Sequence, residues 1–168
     1  MRFIMMLTGL TVAALPALAQ KEAPPAPGTP KDFRLPPRKT FTLANGMRVS
    51  LVHYGLVPKV ALNLDLATGA IDEGPDEVQL SGLTADMLLE GTTTRAAADI
   101  SRQAAEMGGT LSAFSGDDAV NLSGEVLSEN AERFVALVAD VALHPKFAAP
   151  DVDRLRANRS RDNAIAQS

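Results

Sequence analysis

Between Lys59 and Ala67 the chain reads KVALNLDLA, with a large apolar residue at every second position. Only an extended chain puts Val60, Leu62, Leu64 and Leu66 on one side, because successive side chains of a strand point to opposite faces. A strand with one apolar face is half-buried, so the rest of the chain must supply neighbouring strands and a layer that covers that face. Aromatic residues are only 4% of the 168 residues, against 46% hydrophobic residues in total. The core therefore falls to Leu, Val, Ala and Met.

Punctuation along the chain gives the order of the other elements. Phe41 to Val52, FTLANGMRVSLV, is two β-rich runs around Ala44-Asn45-Gly46, and Asn-Gly supplies the positive φ values of a tight hairpin. Gly74 and Pro75 break the chain, and Asp76 and Glu77 suit the N-terminus of a helix. That helix runs to about Glu90 and ends at Gly91, and a second spans roughly Arg95 to Met107 before Gly108-Gly109. Thr110–Ser115 and Ala119–Val126 read as strands flanking the turn Gly116-Asp117-Asp118. Ser128 is a good N-cap for a helix through Leu143, whose apolar stripe is Phe134, Leu137, Val138 and Val141. Pro150 sits near the start of a last helix, inside which the sequence stops. The order β-β-β-α-α-β-β-α-α predicts an α+β domain, a largely antiparallel sheet with helices packed on one face. The missing stop signal after Asn163 reads as an incomplete domain.

The N-terminus carries a different kind of information. MRFIMMLTGLTVAALPALAQ has Arg2, an apolar run, a breaker at Pro16, and small residues at Ala17 and Ala19. This is the grammar of a signal peptide over residues 1–19. The apolar run is too short to cross a bilayer core of about 30 Å, so the expectation is export, to the periplasm or the medium, with no membrane attachment after cleavage. Residues 20–39 contain six prolines and read as an extended linker, leaving 40–168 for the folded domain. A net charge of −4 argues against a nucleic-acid partner. Without cysteine there is neither a disulfide framework nor a thiolate zinc site.

From Phe41 to about Asn163 the sequence resembles the first domain of the insulinase/pitrilysin family, the inverzincins. LANGMRVSLV is similar to the family's opening hairpin, and ALNLDLATGAIDEGPDE to its third strand and glycine-acidic loop. LSGLTADMLLEGT resembles the zinc helix, which ends in Gly-Thr, and AAEMGGTLSAFSGDDAVNLSGEVL the strand pair after it. LVADVALHPKFAAPDVDRLR resembles the long helix and the start of the glutamate helix. The resemblance implies an insulinase-like αβ roll.

Active members carry H-x-x-E-H on the zinc helix, with two His on one helical face and a Glu that polarises the metal-bound water. Counted back from Gly91-Thr92, the His positions fall on Gly82 and Asp86, and the Glu position on Ala85. The remote glutamate ligand falls near Asp162, within a residue or two. Gly82 offers no ligand and Ala85 no base. Asp86 and Asp162 are two carboxylates without imidazole, weak candidates for a hard cation and poor ones for zinc. No catalytic residue, metal or cofactor is therefore expected, although active relatives use zinc. His53 and His144 have no second ligand at helical spacing and read as structural or surface groups. Asp117-Asp118 reads as a polar turn, and Arg154, Arg156, Arg159 and Arg161 as a basic helix face or a surface for an acidic partner.

One family feature needs no metal. The resemblance implies that the strand Thr110, Leu111, Ser112, Ala113, Phe114 lies at the sheet edge and pairs with extended peptide, although Ser112 replaces the family's Asn. The expected function is that of a non-catalytic domain or subunit, contributing peptide binding or chamber structure to an active insulinase-like partner in a heterodimer or a longer chain. The alternatives are an active metallopeptidase with an atypical site at Asp86 and Asp162, and a free-standing peptide-binding module.

Overall fold

A computed structural model of the chain describes residues 34–166, together with Gly28 and Asp32. The expected signal peptide and most of the expected linker lie outside the described residues. The chain divides into two compact units between Tyr54 and Gly55.

The first unit holds an antiparallel hairpin of β1 (Arg38–Thr42) and β2 (Arg48–Val52). Pairing of Phe41 with Val49 and of Lys39 with Leu51 puts three apolar side chains on one face. β1 starts at Arg38, inside the span expected as linker. The turn is also looser than expected, because Gly46 takes positive φ (87°) and Asn45 does not. The Asn45 side chain acts instead as an acceptor, with Oδ1 taking the Met47 N–H at 3.1 Å. Leu43 N–H donates to Met47 O to close the loop.

The second unit is a sheet of β3 (Lys59–Leu66), β4 (Thr110–Ser115) and β5 (Val120–Leu127), in the order β3-β5-β4, antiparallel throughout. Four helices complete it: α1 (Leu80–Leu88), α2 (Ala97–Glu106), α3 (Ala131–Leu143) and α4 (Ala149–Ala166). The alternation in β3 emerges intact, with Val60, Leu62, Leu64 and Leu66 half-buried and their neighbours exposed. Leu122 and Val126 on the central strand meet Leu88 of α1, Ile100 of α2 and the Phe134–Val141 stripe of α3. This is the α+β arrangement that alternation in the strands and helical spacing in α3 require.

Two helix starts differ from the sequence expectation. α1 begins at Leu80 rather than near Asp76, after Gln79 turns through φ 68°. Its capping group is Glu73, several residues upstream. Glu73 Oε2 accepts the Gln79 N–H at 2.8 Å, and Oε1 accepts Ser81 N–H at 2.8 Å and Ser81 Oγ at 2.5 Å. The Ser81 hydroxyl, then the backbone N–H groups, hold the Glu73 carboxyl below its ordinary pKa despite some desolvation. Glu77 serves the turn instead, accepting the Gly74 N–H at 2.9 Å. At α3, Ser128 opens a 3-10 turn over Ser128–Asn130, so the helix proper starts at Ala131 and Ser128 is not its cap.

The segment after α1 is stitched to the end of α3. Thr92 is buried, and its Oγ accepts the N–H groups of Thr94 and Arg95 at 3.2 and 3.0 Å. Arg95 reaches Asp140 Oδ2 at 2.5 Å, and His144 Nδ1 lies 3.1 Å from Asp140 Oδ1. Burial pushes the Asp140 pKa up, but hydrogen bonds from Thr92, Arg95 and His144 outweigh it and leave the carboxyl below its ordinary value. A depressed native pKa means that Asp140 stabilises the fold above the unfolded-state value of about 3.9, and that this contribution fades as pH falls through the lower native value. Asp140→Asn should therefore cost about 1–3 kcal/mol at pH 7. The gap to the parent should close below about pH 4. Urea unfolding from pH 7 down to pH 3 checks both parts, and a gap that stays constant to pH 3 would contradict the assignment.

Candidate functional site

α1 and α4 lie side by side and run antiparallel, as three side-chain links show. Gln79 Nε2 meets Asn163 Oδ1 at 3.4 Å, Arg159 Nη2 meets Asp86 Oδ2 at 2.6 Å, and Arg154 Nη2 meets Glu90 Oε2 at 2.7 Å. The apolar part of this contact is thin. Val152 and Leu155 are only half-buried, and no described residue of α4 is fully buried. Charge pairing therefore sets the register between the helices more than packing does.

The positions on α1 that matter for metal chemistry meet α4 in the middle of this contact. Ala85 faces the other way and is 1% exposed within the core. Gly82 and Asp86, one turn apart, lie beneath the guanidinium of Arg159. Arg159 donates to Asp86 Oδ2 through Nε at 3.1 Å and Nη2 at 2.6 Å. A Cβ placed on Gly82 would stand 2.9 Å from Nη1, 3.1 Å from Nη2 and 3.3 Å from Cζ. The guanidinium rests on the bare backbone of Gly82, and the absence of a side chain there is what admits it.

The residues present do not fit a zinc ion. Gly82 contributes no donor atom, Ala85 is an apolar core residue, and Asp86 already faces a permanent cation. Asp162 lies one turn beyond Arg159 on α4 and is exposed. The group on α4 that reaches Asp86 is thus Arg159, three residues from the position that sequence counting singles out. Among the described residues no cluster of three or more His, Asp or Glu side chains is close enough to hold a metal. The arrangement offers a fixed cationic hydrogen-bond donor whose neighbouring carboxylate, Asp86, is already engaged by it.

The remaining singled-out residues scatter. Thr110–Phe114 forms most of β4, an edge strand of the three-stranded sheet, with Thr110, Ser112 and Phe114 exposed. α1 packs against this strand. His53 is exposed beyond β2, and His144 caps the end of α3 against Asp140. Asp117 and Asp118 are exposed in the β4–β5 turn, where the Asp117 carbonyl accepts the Ile71 N–H at 2.8 Å. Of the four arginines of α4, Arg154 and Arg159 are tied to α1 and Arg161 to Asn158 of its own helix.

A family model described as insulinase (peptidase family M16) matches residues 48–167. An uncharacterized zinc protease of Rickettsia felis is 32% identical over 110 residues, covering 66% of this chain and 27% of that protein. The beta subunit of the mitochondrial-processing peptidase of Dictyostelium discoideum is 27% identical over 135 residues, covering 79% of this chain and 28% of that subunit. The chain thus spans little more than a quarter of the length of these curated relatives. In three dimensions it is similar to the crystal structure of a peptidase M16 inactive domain from Pseudomonas fluorescens. The TM-score is 0.65 with 26% identity, over 72% of this chain and 30% of that one. With residues 48–167 matched to the family model, and with a structural neighbour that is itself a peptidase M16 domain, this chain belongs to the insulinases, peptidase family M16.

Proposed function

We propose that the chain is a non-catalytic insulinase-family domain that works beside an active peptidase domain or subunit, contributing a peptide-binding edge strand and part of the chamber wall. The observation that carries this reading is the Arg159 guanidinium lying over Gly82 and bridged to Asp86. A cation tethered on the zinc-helix face opposes metal binding there, while β4 keeps an edge to which an extended peptide can add through backbone groups. The similarity to a peptidase M16 inactive domain supports the same reading. Export, to the periplasm or the medium, belongs to the proposal on the strength of MRFIMMLTGLTVAALPALAQ.

The purified chain incubated with zinc and dialysed should retain far less than one zinc per molecule and cleave no peptide. A fluorescein-labelled extended peptide should bind, and its twin with alternate backbone nitrogens methylated should not, because methylation removes the donors that strand addition uses. Chelator-sensitive cleavage lost in Asp86→Ala would establish the atypical enzyme instead. Co-purification with an H-x-x-E-H protein from the native source supports the partner role; a monodisperse chain that binds peptide and retains no partner would mark a free-standing module. Exported protein should begin at Gln20 on N-terminal sequencing.

A further inference from the structure

Arg159 has more hydrogen-bonding capacity than Asp86 uses. A guanidinium carries five N–H donors arranged as two forks, one along Nε and Nη2 and one along Nη1 and Nη2. Asp86 takes the first fork with a single oxygen, Oδ2. Nη1 makes no hydrogen bond among the described residues and stands above the notch left by Gly82. The side chain is 31% exposed and Asp86 41%, so the group is held in place and still reachable from solvent. Of the other charges on the two helices, Glu90 and Asp151 pair with Arg154, whereas Asp162, one turn from Arg159, is exposed and adds a second negative charge against which an incoming anion competes.

We propose that the Nη1–Nη2 fork of Arg159, positioned by Asp86 and given room by Gly82, receives a peptide carboxylate, from either a C-terminus or an acidic side chain. The choice of ligand follows from the shape of the fork, which matches the two oxygens of a carboxylate. Asp86 fixes the guanidinium and at the same time competes with the incoming anion. This inference rests on the reading that the domain engages extended peptides, and gives that reading a chemical preference.

Four unlabelled, N-acetylated hexapeptides, titrated calorimetrically, test it with the full chain: free acid and C-terminal amide, and amidated peptides with an internal Glu or Gln. One carboxylate-bearing peptide should bind about tenfold tighter than its neutral twin, and the pair that shows the preference identifies the source. Arg159→Gln should erase the preference and Arg159→Lys restore only part of it, because an ammonium lacks the fork. Asp86→Asn should widen the preference by removing the competing charge. A merely structural ion pair would respond in the opposite way, with Asp86→Asn and Arg159→Gln doing equal damage. Equal affinity for acidic and neutral peptides in the parent chain, or a preference narrowed by Asp86→Asn, would overturn the proposal. The N-methylated twins separate the two readings. Binding lost on methylation with no acid preference leaves the edge strand standing and sinks the receptor; an acid preference that survives methylation does the reverse.

Discussion

Histidines placed at both helix positions, in a Gly82→His/Asp86→His variant, should bind zinc tightly only after Arg159 is also replaced. Two imidazoles at i and i+4 share one helical face, which is the spacing a zinc pair needs. In the parent fold, however, even a Cβ at position 82 would stand 2.9 Å from Arg159 Nη1. An imidazole must push the guanidinium aside, and although Asp86→His also removes its carboxylate partner, the cation stays within reach of the face on its own side chain. Like charges at 4 Å repel by about 4 kcal/mol for each unit pair at an effective dielectric of 20. Rotation of the long side chain into water relieves part of that, so a penalty of roughly 100-fold in affinity is expected. Adding Arg159→Glu removes the cation and supplies a third ligand from α4; Arg159→Ala removes the cation alone and should fall between. Cobalt(II) absorption and zinc titration report binding directly. Ala85 is left unchanged because it is a core residue, 1% exposed, where a carboxylate would be buried without a partner. With no base at position 85 the triple variant should hold metal and still cleave nothing. Tight zinc binding by the double variant with Arg159 in place would show that the guanidinium does not guard this face.

What could be read from sequence here was whatever a period determines. Alternation in Lys59–Leu66 and helical spacing at Phe134, Leu137, Val138 and Val141 follow from backbone geometry, and both emerge as the buried faces. Features that depend on which side chain reaches across space were not legible. The side-chain cap of α1 comes from Glu73, because Gln79 turns left-handed and aims the first N–H groups back toward it; the carboxylates of Asp76 and Glu77 lie closer in sequence and cap nothing on α1, where Glu77 contributes only its backbone carbonyl, to the Leu80 N–H. The α4 residue at the site is Arg159 rather than Asp162 for a similar reason. Positions three apart share a helix face, and the choice between them depends on the antiparallel register with α1. Links such as Glu90 to Arg154 and Gln79 to Asn163 set that register, and nothing in the spacing of either helix announces it. The stretch from Arg154 to Arg161 did flag a charged face, but pairing across helices decides which arginine faces Asp86.

Phe134→Ala and Gly124→Ala should each damage the fold severely, from opposite directions. Phe134 is fully buried in α3, and its ring closes on the central strand at Gly124. Truncation removes the largest buried side chain and leaves a cavity under β5, which typically costs about 3–5 kcal/mol for a phenylalanine. That is a large part of the roughly 5–15 kcal/mol that holds an ordinary domain together. Gly124→Ala instead overfills the same contact. Its Cβ would stand 2.6 Å from Phe134 Cζ and 2.2 Å from the Thr110 carbonyl oxygen. The ring can tilt, but the carbonyl belongs to β4 and moves only if the pairing around Leu111 and Gly124 shifts. The cost should therefore reach or exceed the upper end of about 1–3 kcal/mol usual for overpacking. Combining the two separates the contributions. Removing the ring relieves one clash and leaves the backbone clash, so Gly124→Ala should remain destabilising in the Phe134→Ala background, though by less than in the parent. Urea unfolding of the four proteins gives the coupling directly. A neutral Gly124→Ala would mean that β4 yields easily, and would weaken the case for β4 as a rigid edge on which a peptide strand can be laid.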